Sequence, residues 1–211
     1  MTLSPEDIEE PFNCYPDALY LQLEIPDEAV IEACRRANES GVPVFIDAGP
    51  ARLDFPLSRL GKVEIFSPNE SETRIFTGIA PNNEENCVRA AIKLSTLVDA
   101  KYIVIKLGER GAFIFDGKEY FMVPAEKVEA VDTTAAGDVF TAVMTYVYLQ
   151  NGNIVSAVKY ATCAAALSVT REGASTSIPT RAEVIAYAKK KTGKSADADN
   201  ADAVVEDGEE G

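Results

Sequence analysis

Residues 18–49 read ALYLQLEIPDEAVIEACRRANESGVPVFIDAG, and their hydrophobic pattern changes period twice. Two short apolar runs enriched in β-branched or aromatic residues, ALYLQLE (18–24) and VPVFIDAG (42–49), flank a stretch where Val30, Ala33, Cys34 and Ala37 recur at helical spacing. Pro26 and Asp27 suit a helix start and Gly41 a helix stop. The segment therefore reads as strand, helix, strand, the unit from which a mainly parallel sheet is assembled.

The alternation continues downstream. VEIFS (63–67) is a short strand, followed by a helix from Asn69, a helix through NCVRAAIKLSTLV (86–98) and the strand YIVIKLG (102–108). GAFIFDG and EYFMVPA read as an antiparallel pair turned at Asp116, Gly117 and Lys118. Helical patterns then cover 135–150, 154–170 and 181–191, with Gly152 and Gly173 at the breaks. Strands that read as near-continuous apolar runs and alternate with helices predict an α/β fold, a mainly parallel sheet covered by helices. Ligands in such a fold belong at the carboxyl ends of the strands, and those ends carry Glu24, Asp47, Asn69 and the loop KLGERG (106–111). One feature departs from a complete sheet. Seventeen residues of acid, proline and turn formers lead directly into a run that reads as an interior strand, so the first strands are expected to be missing.

Composition excludes several kinds of function. The 211 residues, 46% hydrophobic and 26% charged, fit one soluble globular domain. No apolar run approaches the roughly 18 to 20 residues of a membrane span, and the opening MTLSPEDIEEPFN is acidic, unlike a signal peptide. Cys14, Cys34, Cys87 and Cys163 form no CxxC pair, a cytoplasmic pattern without a zinc site. Histidine is absent, which excludes Ser-His-Asp and Cys-His triads and leaves proton transfer to carboxylate, lysine, tyrosine or cysteine. A net charge of −14 argues against nucleic-acid binding. Residues 195–211, SADADNADAVVEDGEEG, are expected to be a disordered solubilising tail, leaving 1–194 as the folded part.

The chemistry concentrates in AVDTTAAGDVFTAVM (130–144). A helix starting near Ala135 presents unpaired N–H groups and the positive end of its dipole, an anion site that the small residues Ala135, Ala136 and Gly137 leave open to a phosphate. Asp138, about one turn inside, is placed to take a proton from a hydroxyl attacking phosphorus, which suits phosphoryl transfer. A second reading stands beside it: Thr133 or Thr134 caps the helix and Asp138 only complements the dipole. A P-loop is disfavoured, because the Gly-Lys pairs at 61, 117 and 193 have Pro56, Ala112 and Ala188 where that motif needs glycine.

The run DTTAAGD (132–138) resembles the signature of the ribokinase (PfkB-type) carbohydrate kinase family, Asp-Thr-x-(Gly/Ala)-Ala-Gly-Asp at the opening of a helix. The resemblance implies a ribokinase-like fold and transfer of the ATP γ-phosphoryl group to a hydroxymethyl group of a pentose such as ribose. In it Asp138 is the catalytic base and the amides of Ala135, Ala136 and Gly137 are the anion hole. SPNESE (67–72) resembles the family's Asn-x-x-Glu motif, implying Asn69 near the nucleotide phosphates and Glu72 organising magnesium through water. The same two residues also read as a capping box. KLGERG resembles the nucleotide loop, with Gly108 and Gly111 admitting the ATP backbone contact, Glu109 and Arg110 between them, and Lys106 reaching a phosphate where the family often has threonine. A plain turn between strands explains the two glycines equally well.

YATCAAALSVTREGASTSIPTRAEV (160–184) resembles the family's closing region. It implies Thr162 beside the adenine, where the family often has Asn or His, and a potassium site built from Asp132, Thr134, Ser168, Arg171, Gly173 and Ser177. By its residues alone, 154–170 is a buried Ala-rich core helix. Glu24 in LQLEIP stands where ribokinases contact the sugar, and a charge ending an apolar strand also suits a surface. IDAGPAR (46–52) resembles the family's Asp-Pro-x-x-x-Arg stretch.

The resemblance runs from Ser4 to Lys191 and maps onto the later two-thirds of a family member. The earlier third, with the first strands, a Gly-Gly sugar motif and the β lid, has no counterpart, so open strand edges and helix faces are expected, and a homodimer only if that region is present. Two other functions stay open: a nucleotide-binding or regulatory module without turnover, and a family kinase acting on a nucleoside or fructose phosphate.

Overall fold

Five residues, Leu107 to Gly111, separate the strand Asp99–Lys106 from the strand Ala112–Phe115, and that shortness sets the sheet. A parallel return needs a crossover of a dozen or more residues, so the second strand comes back antiparallel, pairing Lys106 with Ala112 and Ile103 with Phe115. The computed structural model describes residues 5–192; the acidic stretch 195–211 lies outside the described residues. The chain divides into two compact units, one ending at Met122 and the other starting at Val123.

The first unit opens with a 3-10 turn, Pro5–Ile8, and a single turn of helix α1, Glu9–Phe12. The sheet then builds from β1 Leu19–Gln22, β2 Val44–Asp47, β3 Lys62–Ser67, β4 Asp99–Lys106, β5 Ala112–Phe115 and β6 Tyr120–Val123, in that spatial order. Pairs β1–β2, β2–β3 and β3–β4 are parallel. The crossovers are α2 Asp27–Ser40, a 3-10 turn Leu57–Leu60, and the helices α3 Glu70–Thr77 and α4 Glu84–Leu97. Gly41 ends α2 at φ 71°, the left-handed stop expected of it, and its N–H reaches the Ala37 and Asn38 carbonyls.

One face of the sheet is Ile46, Phe66, Ile103 and Ile105, packed against Val30, Cys34 and Ala37 of α2 and Cys87, Ala90, Ala91 and Leu94 of α4. The register pairs Asp47 with Ser67 and Ile65 with Tyr102, so Asp47, Ser67 and Lys106 share the opposite face at its carboxyl edge. Strand limits differ from the sequence reading for physical reasons. β1 stops at Gln22 and Glu24 lies in the following turn. β4 starts at Asp99, three residues early, because Asp99 and Ala100 already pair with Lys62 and Val63. It stops at Lys106, because Leu107 turns back to the Gly111 carbonyl at 2.8 Å.

The second unit is helical: α5 Ala136–Asn151, α6 Ile154–Val169, a 3-10 turn Ser175–Ser177 and α7 Arg181–Thr192. Gly152, at φ 66°, closes α5, and Asn153 at once caps α6 by accepting from Ser156 N at 3.0 Å. Two residues thus turn the chain into an antiparallel helix pair. Val139, Cys163, Ala164 and Val184 form a small core. Tyr146, 49% exposed, stands at an apolar groove of about 330 Å³ lined also by Val143, Tyr160, Val184 and Ile185. Among the described residues no helix is long and apolar enough to cross a membrane. Burial pushes the Cys34 thiol up to about 12, so it is an inert packing residue.

Leu94 is fully buried in the core of the first unit. Leu94→Ala should lower the unfolding free energy by about 2–5 kcal/mol, read from urea denaturation.

Candidate active site

The carboxyl ends of β2, β3 and β4 gather a polar cluster in the first unit. Asn69 caps α3, its Oδ1 accepting from Glu72 N at 2.9 Å, while the Glu72 carboxylate accepts from Asn69 N at 2.7 Å and Asn69 Nδ2 at 2.8 Å. The capping box is therefore present, and it pins the Glu72 side chain at the strand ends. Lys106 bridges to Asn69 through the backbone, its N–H donating to the Pro68 carbonyl at 2.8 Å. Its ammonium donates to both Asp47 oxygens at 2.7 Å, with only 12% and 5% of the two side chains exposed. Ser67, fully buried on the strand between them, leaves its hydroxyl without a hydrogen-bond partner.

Gly49 completes this cluster by what it lacks. A Cβ there would stand 2.7 Å from Glu72 Oε1 and 3.8 Å from Asp47 Oδ1, so Glu72 closes against the Gly49 backbone where a side chain would otherwise stand, with Asp47 just beyond. Burial raises the Glu72 carboxyl above its usual range; the Asn69 amide and Lys106 pull it down and Asp47 adds to the rise.

Gly108–Arg110 form a 3-10 turn between Gly108 at φ 55° and Gly111 at φ 93°, both left-handed positions that favour glycine. Arg110 braces this loop against α3 through Glu70 and reaches the Pro81 carbonyl. Glu109 and Gly108 are exposed, as is Glu24 in the turn after β1.

In the second unit, α5 is entered through its N-cap Ala135, a non-glycine residue at φ 62°. No side chain caps this helix, so neither Thr133 nor Thr134 plays the capping part that one reading gave them. Asp132 instead organises the approach. Its Oδ1 accepts from Thr134 N at 2.8 Å and its Oδ2 from Gly173 N at 3.0 Å, while Val131 N and Asp132 N donate to the Val169 carbonyl at 2.7 and 3.1 Å. Hydrogen bonds from the Thr134 side chain, then from the Thr134 and Gly173 amides, hold the Asp132 carboxyl below its usual range. Asp138 stands exposed in the first turn of α5, beside exposed Gly137.

The six positions assigned to a cation are partly assembled. Asp132, Thr134 and Gly173 meet directly, and Arg171 N donates to the Ser168 carbonyl at 3.1 Å. The buried hydroxyls of Ser168 and Ser177 donate to Ala165 and Ala174 carbonyls at 2.9 and 2.8 Å. Thr162 is buried, its hydroxyl donating to the Val158 carbonyl at 2.8 Å within α6.

Read from the sequence, Asp47 stands at the strand ends where ligands belong but has no role, and Ser67 has none either. Asp47 carried a signal, an acid ending an apolar run, but its partner Lys106 lies 59 positions away and only the strand register joins them. What the two clusters can do is distinct. The strand-end cluster offers amide, ammonium and carboxylate groups to a polyphosphate or its cation, and the α5 terminus offers amides that no side chain caps, Ala136 N–H turning back to the Thr133 carbonyl at 3.3 Å, with a carboxylate in the first turn.

Comparison with known proteins follows the same residues. The family model described as pfkB family carbohydrate kinase matches residues 5–181. A deoxyribokinase of Salmonella typhi is 37% identical over 183 residues, covering 84% of this chain and 58% of the relative. A ribokinase of Haemophilus influenzae is 35% identical over 173 residues, 81% of this chain and 55% of the relative. The solved ribokinase of Arabidopsis thaliana complexed with ribose and ATP superposes at a TM-score of 0.79 with 31% identity, over 89% of this chain and 60% of that one. The chain thus spans little more than half the length of the curated relatives it matches.

Acid titration tests the loop that follows α6. Glu183 accepts from Arg171 at 2.6 Å and from the Thr180 amide and hydroxyl at 2.7 and 2.9 Å, and Arg171 first lowers its pKa from 4.5 to about 2. A folded value below the unfolded one stabilises above the unfolded pKa and is lost as pH falls through the folded one. Thermal melts should lose this contribution between about pH 4.5 and pH 2, and Glu183→Gln should flatten that part of the profile.

Proposed function

The chain belongs to the pfkB family of carbohydrate kinases, and from that premise we propose that it carries the catalytic and nucleotide-binding part of an ATP-dependent pentose kinase. Ribose is the acceptor we assign first, and deoxyribose the nearest competitor, following the named activities of the relatives. The observation that carries the reading is Asp138, an exposed carboxylate in the first turn of a helix that starts at a left-handed alanine with no side-chain cap.

In this reaction Asp138 accepts the proton of the sugar hydroxymethyl group as its oxygen forms a bond to the γ-phosphorus and the bond to the β-phosphate oxygen breaks. The amides of Ala135, Ala136 and Gly137 donate to the charge that builds on the transferring phosphoryl oxygens, and the α5 dipole adds to them. Asn69 and the loop Gly108, Glu109, Arg110, Gly111 hold the nucleotide phosphates, Lys106 stands beside them with its charge paired to Asp47, Thr162 lies on the adenine side, and Glu24 contacts the sugar. Among the described residues no group of three or more His, Cys, Asp or Glu could bind a metal by protein ligands alone. The Glu72 carboxylate, pinned beside Gly49 by the Asn69 cap, fits magnesium held through water, an ion that keeps its waters and takes one or two carboxylates and the phosphates. When bound, magnesium neutralises charge on the β- and γ-phosphates. Asp132, Thr134, Ser168, Arg171, Gly173 and Ser177 offer the oxygen donors that suit potassium. The buried thiols Cys34, Cys87 and Cys163, none in a disulfide, support a cytoplasmic setting.

A nucleotide-binding module without turnover is the second reading. Its support is the exposure of Glu24, the one sugar contact assigned besides Asp138, against a strand-end cluster whose side chains are already hydrogen-bonded.

Asp138→Asn should lower kcat by about 10²- to 10⁴-fold in a coupled assay with ribose, with nucleotide affinity kept within about twofold. Near-normal turnover in the variant would sink the assignment. Nucleotide binding by calorimetry with no phosphoryl transfer in the unaltered protein would favour the module.

A further inference from the structure

A lysine at the strand ends of a nucleotide site ordinarily serves as a point charge for phosphate. Lys106 is placed otherwise. Its ammonium lies 2.7 Å from each oxygen of Asp47, and both side chains are nearly removed from water. Pairing two charges in the interior recovers little more than their desolvation costs, so such a pair is a weak stabiliser and its placement needs another reason. Glu72 supplies that reason. Its carboxylate lies against Gly49 with Asp47 just beyond, and it interacts electrostatically with both members of the pair. The trio holds one cation against two carboxylates, a net single negative charge at the mouth of β2, β3 and β4. The neighbouring Arg110–Glu70 pair is neutral and does not offset it.

We propose that the Asp47–Lys106 pair sets the charge state of the nucleotide this site accepts, favouring the magnesium complex over the free polyphosphate. The inference rests on the nucleotide-binding reading above and makes Asp47 a positioning residue. Asp47 cancels the attraction Lys106 would exert on any polyphosphate and leaves Glu72 to favour the species that brings its own cation. A lone lysine would favour the free nucleotide over the complexed one, since the free form carries the greater negative charge. The pair reverses that order, because the trio repels the free anion while a bound divalent cation removes two of its negative charges.

The test is calorimetric titration with ADP, once in EDTA and once in excess magnesium chloride, at a fixed pH near 8. The quantity read is the ratio of the two affinities. Asp47→Asn should lower the ratio by about tenfold, chiefly by tightening free ADP, and Lys106→Met should raise it. The double variant D47N/K106M restores the net charge of the trio and should return the ratio toward that of the unaltered protein, as should Asp47→Glu. A merely structural role for the pair would weaken both forms together and leave the ratio flat, which would overturn the inference. If Asp47→Asn does not fold by circular dichroism, Lys106→Met and the double variant make the same comparison. An equal ratio in those two overturns the proposal, and a lower ratio in the double variant supports it. Failure of the unaltered protein to bind ADP in either condition would overturn the nucleotide reading and this inference with it. Binding with a flat ratio would sink this inference alone.

Discussion

A single ammonium shared between two carboxylate oxygens ties β2 to β4 across β3, and the strand-end cluster is arranged around that tie. The lysine chain has to cross over the end of β3, so the residue there must be small, and Ser67 is. The Asp47 carboxylate must stay close to Glu72 without a side chain between them, so residue 49 is glycine. Glu72 must not swing away, and the reciprocal cap with Asn69 prevents it. Each choice looks local in isolation. Together they place fixed charges on a rigid sheet edge, where they need no reorganisation when a polyanion arrives.

The α5 terminus solves a related problem by other means. Helices with a Ser, Thr, Asp or Asn cap spend their free amides on that cap. Here Asp132 is diverted to the Thr134 and Gly173 amides, which leaves the first turn of α5 uncapped by any side chain. A left-handed alanine at 135 costs strain that a glycine would avoid, and such strain tends to persist where the surroundings fix the conformation for a purpose.

Much of this was legible in the sequence because it depends on period and short-range spacing. The alternation of strands and helices, Gly41 and Gly152 as helix stops, and the Asp116–Lys118 turn are local, and the structure places each within a few residues of its expected position. Asn69 and Glu72 show why two readings of one motif need not compete: the capping box is the device that holds the site residue still. What stayed hidden was non-local. The Asp47–Lys106 pair requires the parallel register of three strands, which spacing along the chain does not encode, whereas Asp132 and Gly173 were brought together by the family resemblance alone, because their bond requires α5 and α6 to fold back on each other.

That last bond bears on the order in which the second unit assembles. α5 and α6 are joined by two residues, so their pairing closes a very short loop and can form early. Asp132 and Gly173 stand 41 positions apart and meet only after both helices are in place. Their contact depends on the helix pair already being formed, so the approach to α5 is the late step. A nascent or heat-stressed chain would therefore hold its helices before it holds its anion cradle, and far-ultraviolet signal would recover ahead of ligand binding on refolding.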